Sequence, residues 1–259
     1  DQLAAEGLGI NVATMMGHSF LRWFVMGDDA WERAATTDEI ARMVDVFADS
    51  IDAGAFGLST SFVDRDHRGR LVPSCMADDA EFEALLDVLA EKGGVLEFVP
   101  NLIGGSPLDD IDRMARLAGP RDVVLTWNTL AQTRRAPERA GLLLEQAVRL
   151  QQAGVRIYPQ GTPRPFDLRI GWDRSVMFDP MPESWAPFIR TDADGKRAML
   201  DDPAWRSRAR DEWDAAKLAI FPTWDISRIR LITVTRPENA EWVGRTLADL
   251  VAARGGHPS

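Results

Sequence analysis

Five short apolar runs alternate with amphipathic helices along the first 160 residues, and this rhythm limits the possible folds more than any other feature. The runs do not themselves alternate between apolar and polar residues, which is typical of parallel strands buried on both faces. Helices between such strands indicate right-handed βαβ crossovers. The sequence predicts strands near residues 10–17, 56–61, 95–99, 122–127 and 155–159.

The helix after the first run has the clearest boundaries. Thr36 and Glu39 have the spacing of a capping box, and apolar residues then recur at helical spacing up to a natural stop at Gly54. Four further predicted strands, with helices between them, follow along the chain, and this pattern predicts an α/β fold. We expect a partial TIM-like (β/α) barrel, with most of the wall present but not a closed ring of eight strands.

The rhythm breaks after Gln160. Residues 161–226 contain seven of the fifteen prolines and five of the nine tryptophans, and this stretch is too long for an ordinary loop. We interpret 1–160 as the barrel portion and 161–226 as an insertion, or lid, that packs over the barrel mouth and holds a helix capped by Asp202. Residues 227–259 are expected to return toward the barrel as a strand-like segment and a C-terminal helix starting at Pro237.

Composition excludes several classes of function. The net charge is −10, which argues against nucleic-acid binding because phosphate contacts need a basic surface. Cys75 is the only cysteine, so disulfides and cysteine zinc clusters are excluded. No apolar run approaches the roughly 20 residues of a membrane span, and we expect a cytoplasmic protein. Both ends look like cuts through a longer chain, and the bare strand edges of an incomplete barrel predict self-association.

Several ordered motifs over residues 9–62 resemble one family. They are Asn11-Val12-Ala13, Gly17-His18 with Leu21-Arg22, Val25-Met26-Gly27, Ala35-Thr36 with Glu39 and Met43, and Gly54-Ala55-Phe56-Gly57-Leu58-Ser59-Thr60. The stretch is similar to D-aminoacylases, the N-acyl-D-amino-acid deacylase branch of the amidohydrolase superfamily. The resemblance implies the central part of a metal-dependent hydrolase barrel. It also implies a small-molecule amide substrate and, in the full-length family, zinc.

The metal ligands that the resemblance leads us to expect are missing. The three histidines, His18, His67 and His257, are scattered. The family places two histidines at the ends of its fifth and sixth strands, where this chain has Leu96–Pro100 and Leu125–Asn128. Trp127 stands at the second ligand position, and Thr129 where a substrate-binding lysine is frequent. We therefore expect no tightly bound metal in this chain alone.

Most candidate site residues lie at or just beyond the ends of strands, because the carboxyl ends of the strands carry the active site of a β/α barrel. Glu97 lies short of its strand end, but an acidic residue in a buried parallel strand needs a partner or a function. His18 and Glu97 are the candidate catalytic groups. His18 could instead satisfy backbone groups under the mouth, and Glu97 could instead pair with Arg22. The candidate substrate-binding residues are Arg22, Asn101, Asn128 and Gln160.

Two functions remain open. The first is a hydrolase of non-peptide C–N bonds, in which the parent protein acts on an N-acylated D-amino acid or another linear or cyclic amide. The second is a barrel relative without a metal centre that binds a ligand or a partner.

Overall fold

The computed structural model describes most of the 259 residues, in two compact units. One unit holds the described residues up to Gly161, and the other those from Arg169 onward. None of the described helices is long and apolar enough to cross a bilayer. The residues that the structure describes are 5, 7, 9–102, 105–132, 136–161, 169, 171–172, 178, 181–215 and 225–258.

The first unit is built on a sheet of five parallel strands whose order in space follows their order in the chain. This arrangement confirms the predicted α/β fold and the partial barrel. The strands are β1 (Met16–Gly17), β2 (Gly57–Ser61), β3 (Val95–Val99), β4 (Val124–Leu130) and β5 (Ile157–Gly161).

The first strand is much shorter than predicted. It pairs only through Met16 with Leu58 and Gly17 with Ser59, whereas the apolar side chains of Ile10 and Val12 are exposed. An edge strand has one neighbour, so only the residues that pair with β2 become extended sheet.

Five α-helices with described bounds belong to the first unit. The capping box is confirmed: Thr36 Oγ1 accepts from Glu39 N–H at 3.3 Å, while Glu39 accepts from Thr36 N–H at 2.8 Å. The first helix was missed in the sequence because it follows β1 with no linker. The helices are α1 (His18–Met26), α2 (Thr37–Asp52), α3 (Asp79–Lys92), α4 (Pro107–Ala118) and α5 (Arg139–Gln152).

The two faces of the sheet differ in chemistry, since successive side chains of a strand point to opposite faces. One face packs against the helices and carries the hydrophobic core, with Leu58, Leu96, Leu125 and Ile157 in one row across the strands. The next row on this face runs from Thr60 through Phe98 to Trp127. We call the opposite face, which carries polar residues, the inner face.

In the described part of the second unit there are four α-helices and an aromatic core. Trp185 stacks on Phe178 with ring centroids 5.4 Å apart and also meets Trp205 and Trp213. Asp202 caps the helix that begins at Pro203, as predicted, by accepting from Ala204 N–H at 2.8 Å. The helices are α6 (Trp185–Arg190), α7 (Ala193–Asp201), α8 (Pro203–Ala215) and α9 (Leu247–Arg254).

The C-terminal segment differs from the sequence prediction in two respects. Instead of the expected strand-like segment, the described residues form an isolated antiparallel bridge between Arg230 and Thr246. The expected helix is interrupted: a 3₁₀ helix over Pro237–Trp242 ends before Gly244, whose φ of +85° is the left-handed region, and α9 starts after the Thr246 cap. The lid role of 161–226 and the return of 227–259 toward the barrel stay predictions.

Candidate active site on the inner face of the sheet

Glu97 lies at the centre of a polar network on the inner face. In the sheet register it stands beside Ser59 of β2 and Thr126 of β4. Ser59 Oγ donates to Glu97 Oε2 at 2.5 Å, and Asn128 Nδ2 donates to Oε1. Both carboxylate oxygens of this half-buried side chain therefore already accept one hydrogen bond from a neutral donor.

The environment of Glu97 raises its pKa above the ordinary value. Burial has the largest effect, because it penalises the charged form, and the charge of Asp64 adds to it. The hydrogen bonds from Ser59 and Asn128 act in the opposite direction but do not cancel the increase. A carboxylate of this kind is suited to exchange a proton nearer to neutral pH than an ordinary glutamate.

Two amide side chains extend the network toward the carboxyl ends of the strands. Asn128 and Gln160 are partners in the β4–β5 register. Gln160 Nε2 donates to Thr126 Oγ1 at 3.0 Å, and Thr126 Oγ1 donates to the carbonyl of Tyr158 at 2.9 Å. The structure thus brings Glu97 and Asn128 into contact and places Gln160 on the next strand.

Asn101 lies two residues beyond the end of β3. Its backbone N–H donates to Asp110 Oδ2 at 2.7 Å, which ties the loop to α4. Burial raises the pKa of Asp110, although this hydrogen bond opposes the change. Asn101 is half-buried at the carboxyl edge of the sheet.

His18 does not join this network. It is the first residue of α1, not the end of a strand, and it is fully buried on the helix side of the sheet. Its Nδ1 lies 2.9 Å from Thr60 Oγ1, and its Nε2 lies 2.7 Å from Glu81 Oε1. Thr60 follows Ser59 in β2 and points to the opposite face, so the two predicted catalytic residues are on different sides of the sheet.

Arg22 belongs to the same buried cluster as His18. It pairs with Glu81 through Nη1 and donates to the carbonyl of Arg33 at 2.8 Å, and it has no exposed surface. The alternative pairing of Arg22 with Glu97 is therefore wrong. The predicted substrate contact would require this side chain to leave a buried ion pair.

Glu81, which is central to that cluster, was not among the residues predicted from the sequence. Burial alone would raise its pKa, but hydrogen bonds and charges from His18 and Arg22 outweigh burial and lower it. One signal was available: Glu81 precedes Phe82 and lies four residues before Leu85, on the helical face that the core buries.

Ser59 and Thr126 were also missed as members of the network. Their signal is the strand period of two, which puts Ser59 and Glu97 on the same face once the register is known. Trp127 was expected at the position of the family's second metal ligand, but its side chain does not lie on the inner face. Its fully buried side chain belongs to the helix-facing core, so Asn128 is the residue of this pair on the inner face.

The donors on the inner face do not fit zinc. No group of three or more His, Cys, Asp or Glu side chains that could hold a metal occurs among the residues described by the structure. Around Glu97 the neighbours are hydroxyl and amide groups, whereas protein zinc sites are built from thiolate, imidazole and carboxylate ligands.

Comparisons with known proteins identify relatives of this chain. No protein-family profile matches it. An uncharacterized protein of Mycobacterium tuberculosis (strain ATCC 25618 / H37Rv) is 25% identical over 286 residues, covering 100% of this chain and 44% of that protein. A D-aminoacylase of Alcaligenes xylosoxydans xylosoxydans is 29% identical over 163 residues, covering 61% of this chain and 32% of the enzyme. The chain thus spans less than half of the length of these relatives.

Solved structures agree with the sequence matches. A D-aminoacylase variant in complex with CuCl2 matches with a TM-score of 0.52 and 25% identity, over 62% of this chain and 32% of that one. An N-acyl-D-glutamate deacylase from Bordetella bronchiseptica, in complex with zinc and a phosphonate that mimics the tetrahedral intermediate, shares the fold. There the TM-score is 0.53 at 19% identity, over 99% of this chain and 42% of that one.

The sheet and its flanking helices form a partial β/α barrel, a fold that the chain shares with solved D-aminoacylase structures. In sequence and in fold, the chain is similar to D-aminoacylases. This result confirms the resemblance drawn from the motifs over residues 9–62.

Proposed function

We propose that the parent protein of this chain is a hydrolase of non-peptide C–N bonds that acts on a small-molecule amide. The observation that carries the proposal is the match to D-aminoacylases in both sequence and fold, at 29% identity over 163 residues and a TM-score of 0.52. N-acyl-D-amino acids and cyclic amides are the first substrates to consider. The ligand-binding alternative has no comparable observation in its favour.

Within this chain, we assign the catalytic contribution to Glu97. It is the acidic residue on the inner face of the sheet that carries a raised pKa, and its side chain is partly accessible. Asn128 and Gln160 flank it toward the carboxyl ends of the strands, where amide groups can orient a substrate carbonyl. Asn101 is retained as a substrate-binding candidate at the same edge of the sheet.

His18 and Arg22 receive a structural role in this proposal. Both are fully buried, and both pair with Glu81 behind β2. A substrate on the inner face would meet the opposite side of that strand. Their contribution is to hold α1 and α3 against the sheet.

Zinc, where the parent protein binds it, requires ligands other than the groups around Glu97. We expect elemental analysis of the dialysed 259-residue chain to give well below one zinc per chain. Stoichiometric zinc that is lost in a His18→Ala variant would contradict both this expectation and the structural role of His18.

The function is tested with the full-length protein and matched amide pairs. The panel contains N-acyl-D-amino acids, their L enantiomers, and cyclic amides, each assayed with and without added zinc, with product amine or carboxylate as the readout. We expect turnover of at least one amide. If no amide is turned over and the protein holds no metal, the hydrolase proposal fails, and binding of a ligand or partner becomes the better account.

A further inference from the structure

Two neighbouring side chains, Ser59 and Asn128, each donate a hydrogen bond to one carboxylate oxygen of Glu97. Ser59 stands beside Glu97 in the β2–β3 register, in a strand paired on both sides. Its neighbour Thr60 meets His18 on the helix side at 2.9 Å, so the backbone that carries the Ser59 hydroxyl is held from behind. With the backbone held, only rotation about χ1 can move the serine oxygen.

We propose that Ser59 is a positioning residue which, together with Asn128, fixes the Glu97 carboxylate so that its remaining lone pairs face a substrate N–H. This inference rests on the proposed function for the nature of the substrate. The geometry itself comes from the two hydrogen bonds, one to each carboxylate oxygen. Ser59 acts through Glu97 and needs no contact with the substrate.

Two donors on two oxygens have a definite chemical effect. They fix the plane of the carboxylate, and each oxygen keeps a further lone pair for a third donor. Within the described ranges, no Lys or Arg forms an ion pair with Glu97. Neutral donors orient the charge without neutralising it, so the carboxylate keeps its strength as an acceptor.

The ligand that fits such a group carries an N–H. A secondary amide or a cyclic amide offers one hydrogen at the nitrogen of the bond to be broken, and the amine product offers more. A carboxylate held in place loses less entropy on accepting that hydrogen bond than a freely rotating one. Ser59 therefore contributes to the orientation of substrates that have an N–H.

The test measures the titration of Glu97 in the full-length protein. Infrared difference spectra across pH report carboxyl protonation, and the band that disappears in Glu97→Gln identifies Glu97. We expect Ser59→Ala to raise the pKa of Glu97 by about one unit, because the charged form loses a donor. Ser59→Thr should restore it, and Asn128→Ala should shift it in the same direction as Ser59→Ala.

Ser50→Ala is the matched control. The Ser50 hydroxyl donates to the carbonyl of Val46 within α2 at 2.8 Å and has no part in the network. The Ser50→Ala substitution should leave the infrared band of Glu97 and its titration unchanged. The Thr and Asn128 variants keep the test decisive even when Ser59→Ala does not fold.

The failures of the two proposals can be told apart. An unchanged Glu97 titration in both Ser59→Ala and Asn128→Ala overturns the positioning role, whatever the activity. A shifted titration in a protein that hydrolyses no amide supports the positioning role while the proposed function fails. When the protein is active, the pH profile of kcat/KM should move with the band in Ser59→Ala and return in Ser59→Thr.

Discussion

Nε2 of His18 lies 2.7 Å from Oε1 of Glu81, and neither side chain has any exposed surface. Arg22 pairs with the other oxygen of Glu81. The cluster joins the start of α1 to the first turn of α3 behind β2, where His18 also meets Thr60. Buried charges are tolerated when they are paired and hydrogen-bonded, so the cluster should be sensitive to the loss of any member.

Glu81→Gln should lower the free energy of unfolding by about 3 kcal/mol, because it leaves the Arg22 charge buried without its counter-ion. Urea unfolding of the full-length protein measures the change. Glu83→Gln is the control, since Glu83 is an exposed residue of the same helix, and it should change the free energy by less than about 0.5 kcal/mol. Equal effects of the two substitutions would contradict the structural role of the cluster.

The contribution of Glu81 should also depend on pH with a definite sign. Its pKa in the folded protein is lowered, so the stabilisation is fully present above the ordinary value near 4.5 and is lost as the pH falls through the lowered value. The difference in unfolding free energy between wild type and Glu81→Gln should therefore shrink only below about pH 4.5. If this difference in unfolding free energy stayed constant as the pH fell below the lowered pKa, Glu81 would not be ionised in the folded protein.

The ionisation of Glu97 should have the opposite effect on stability. Because its folded pKa is raised, ionisation costs stability as the pH rises through that value, and the cost is absent below the unfolded pKa. Glu97→Gln should therefore melt at a higher temperature than wild type at neutral pH, by roughly 2 °C, and at the same temperature in acid. Asp109→Asn, at an exposed carboxyl in α4, serves as the control. A Glu97→Gln protein that melts lower at neutral pH would show that the ionised carboxylate stabilises the fold.

The parallel sheet could be predicted from the sequence because each strand is a compact apolar run between helices. Four of the five strands lie where the runs do. Glu97 was recognised for a physical reason that holds, since a carboxyl group in such a strand needs partners. Its partners Ser59 and Asn128 are 38 and 31 residues away in the chain, and only the register between strands identifies them.

The position at which β1 ends determines on which side of the sheet the His18 side chain lies. The sequence analysis placed His18 at the carboxyl end of the first strand and expected the site there, but His18 is already the first residue of a helix, and its side chain is buried in the core. Trp127 and Asn128 are adjacent in β4, so their side chains point to opposite faces of the sheet. A shift of one residue in the register would therefore exchange the residue on the inner face for the residue on the helix face. Glu81 was not predicted because the sequence alone does not distinguish a buried acidic residue of a helix from a solvent-exposed one when its partners are unknown.

The outer face of α1 should promote self-association of the 259-residue chain. Phe20 and Phe24 are each 71% exposed, and Trp23 is also exposed beside them on the same helix. Clustered aromatic side chains of this kind favour association. We expect Trp23→Glu combined with Phe24→Lys to lower the apparent mass in light scattering.

Leu200→Glu is the control for that measurement. Leu200 is an exposed apolar side chain of α7 and should not contribute to the face of α1. A wild-type chain that is monomeric at all concentrations would contradict the prediction. So would an equal decrease in mass for both variants.

The most direct test compares kcat/KM of the full-length protein for Glu97→Gln and His18→Gln on its best amide substrate. If chemistry takes place on the inner face, Glu97→Gln should lower kcat/KM by about 100-fold or more. His18→Gln, normalised to folded protein, should lower it by less than about fivefold, because its partners lie behind the sheet. A large loss for His18→Gln together with a near-normal Glu97→Gln would contradict the account.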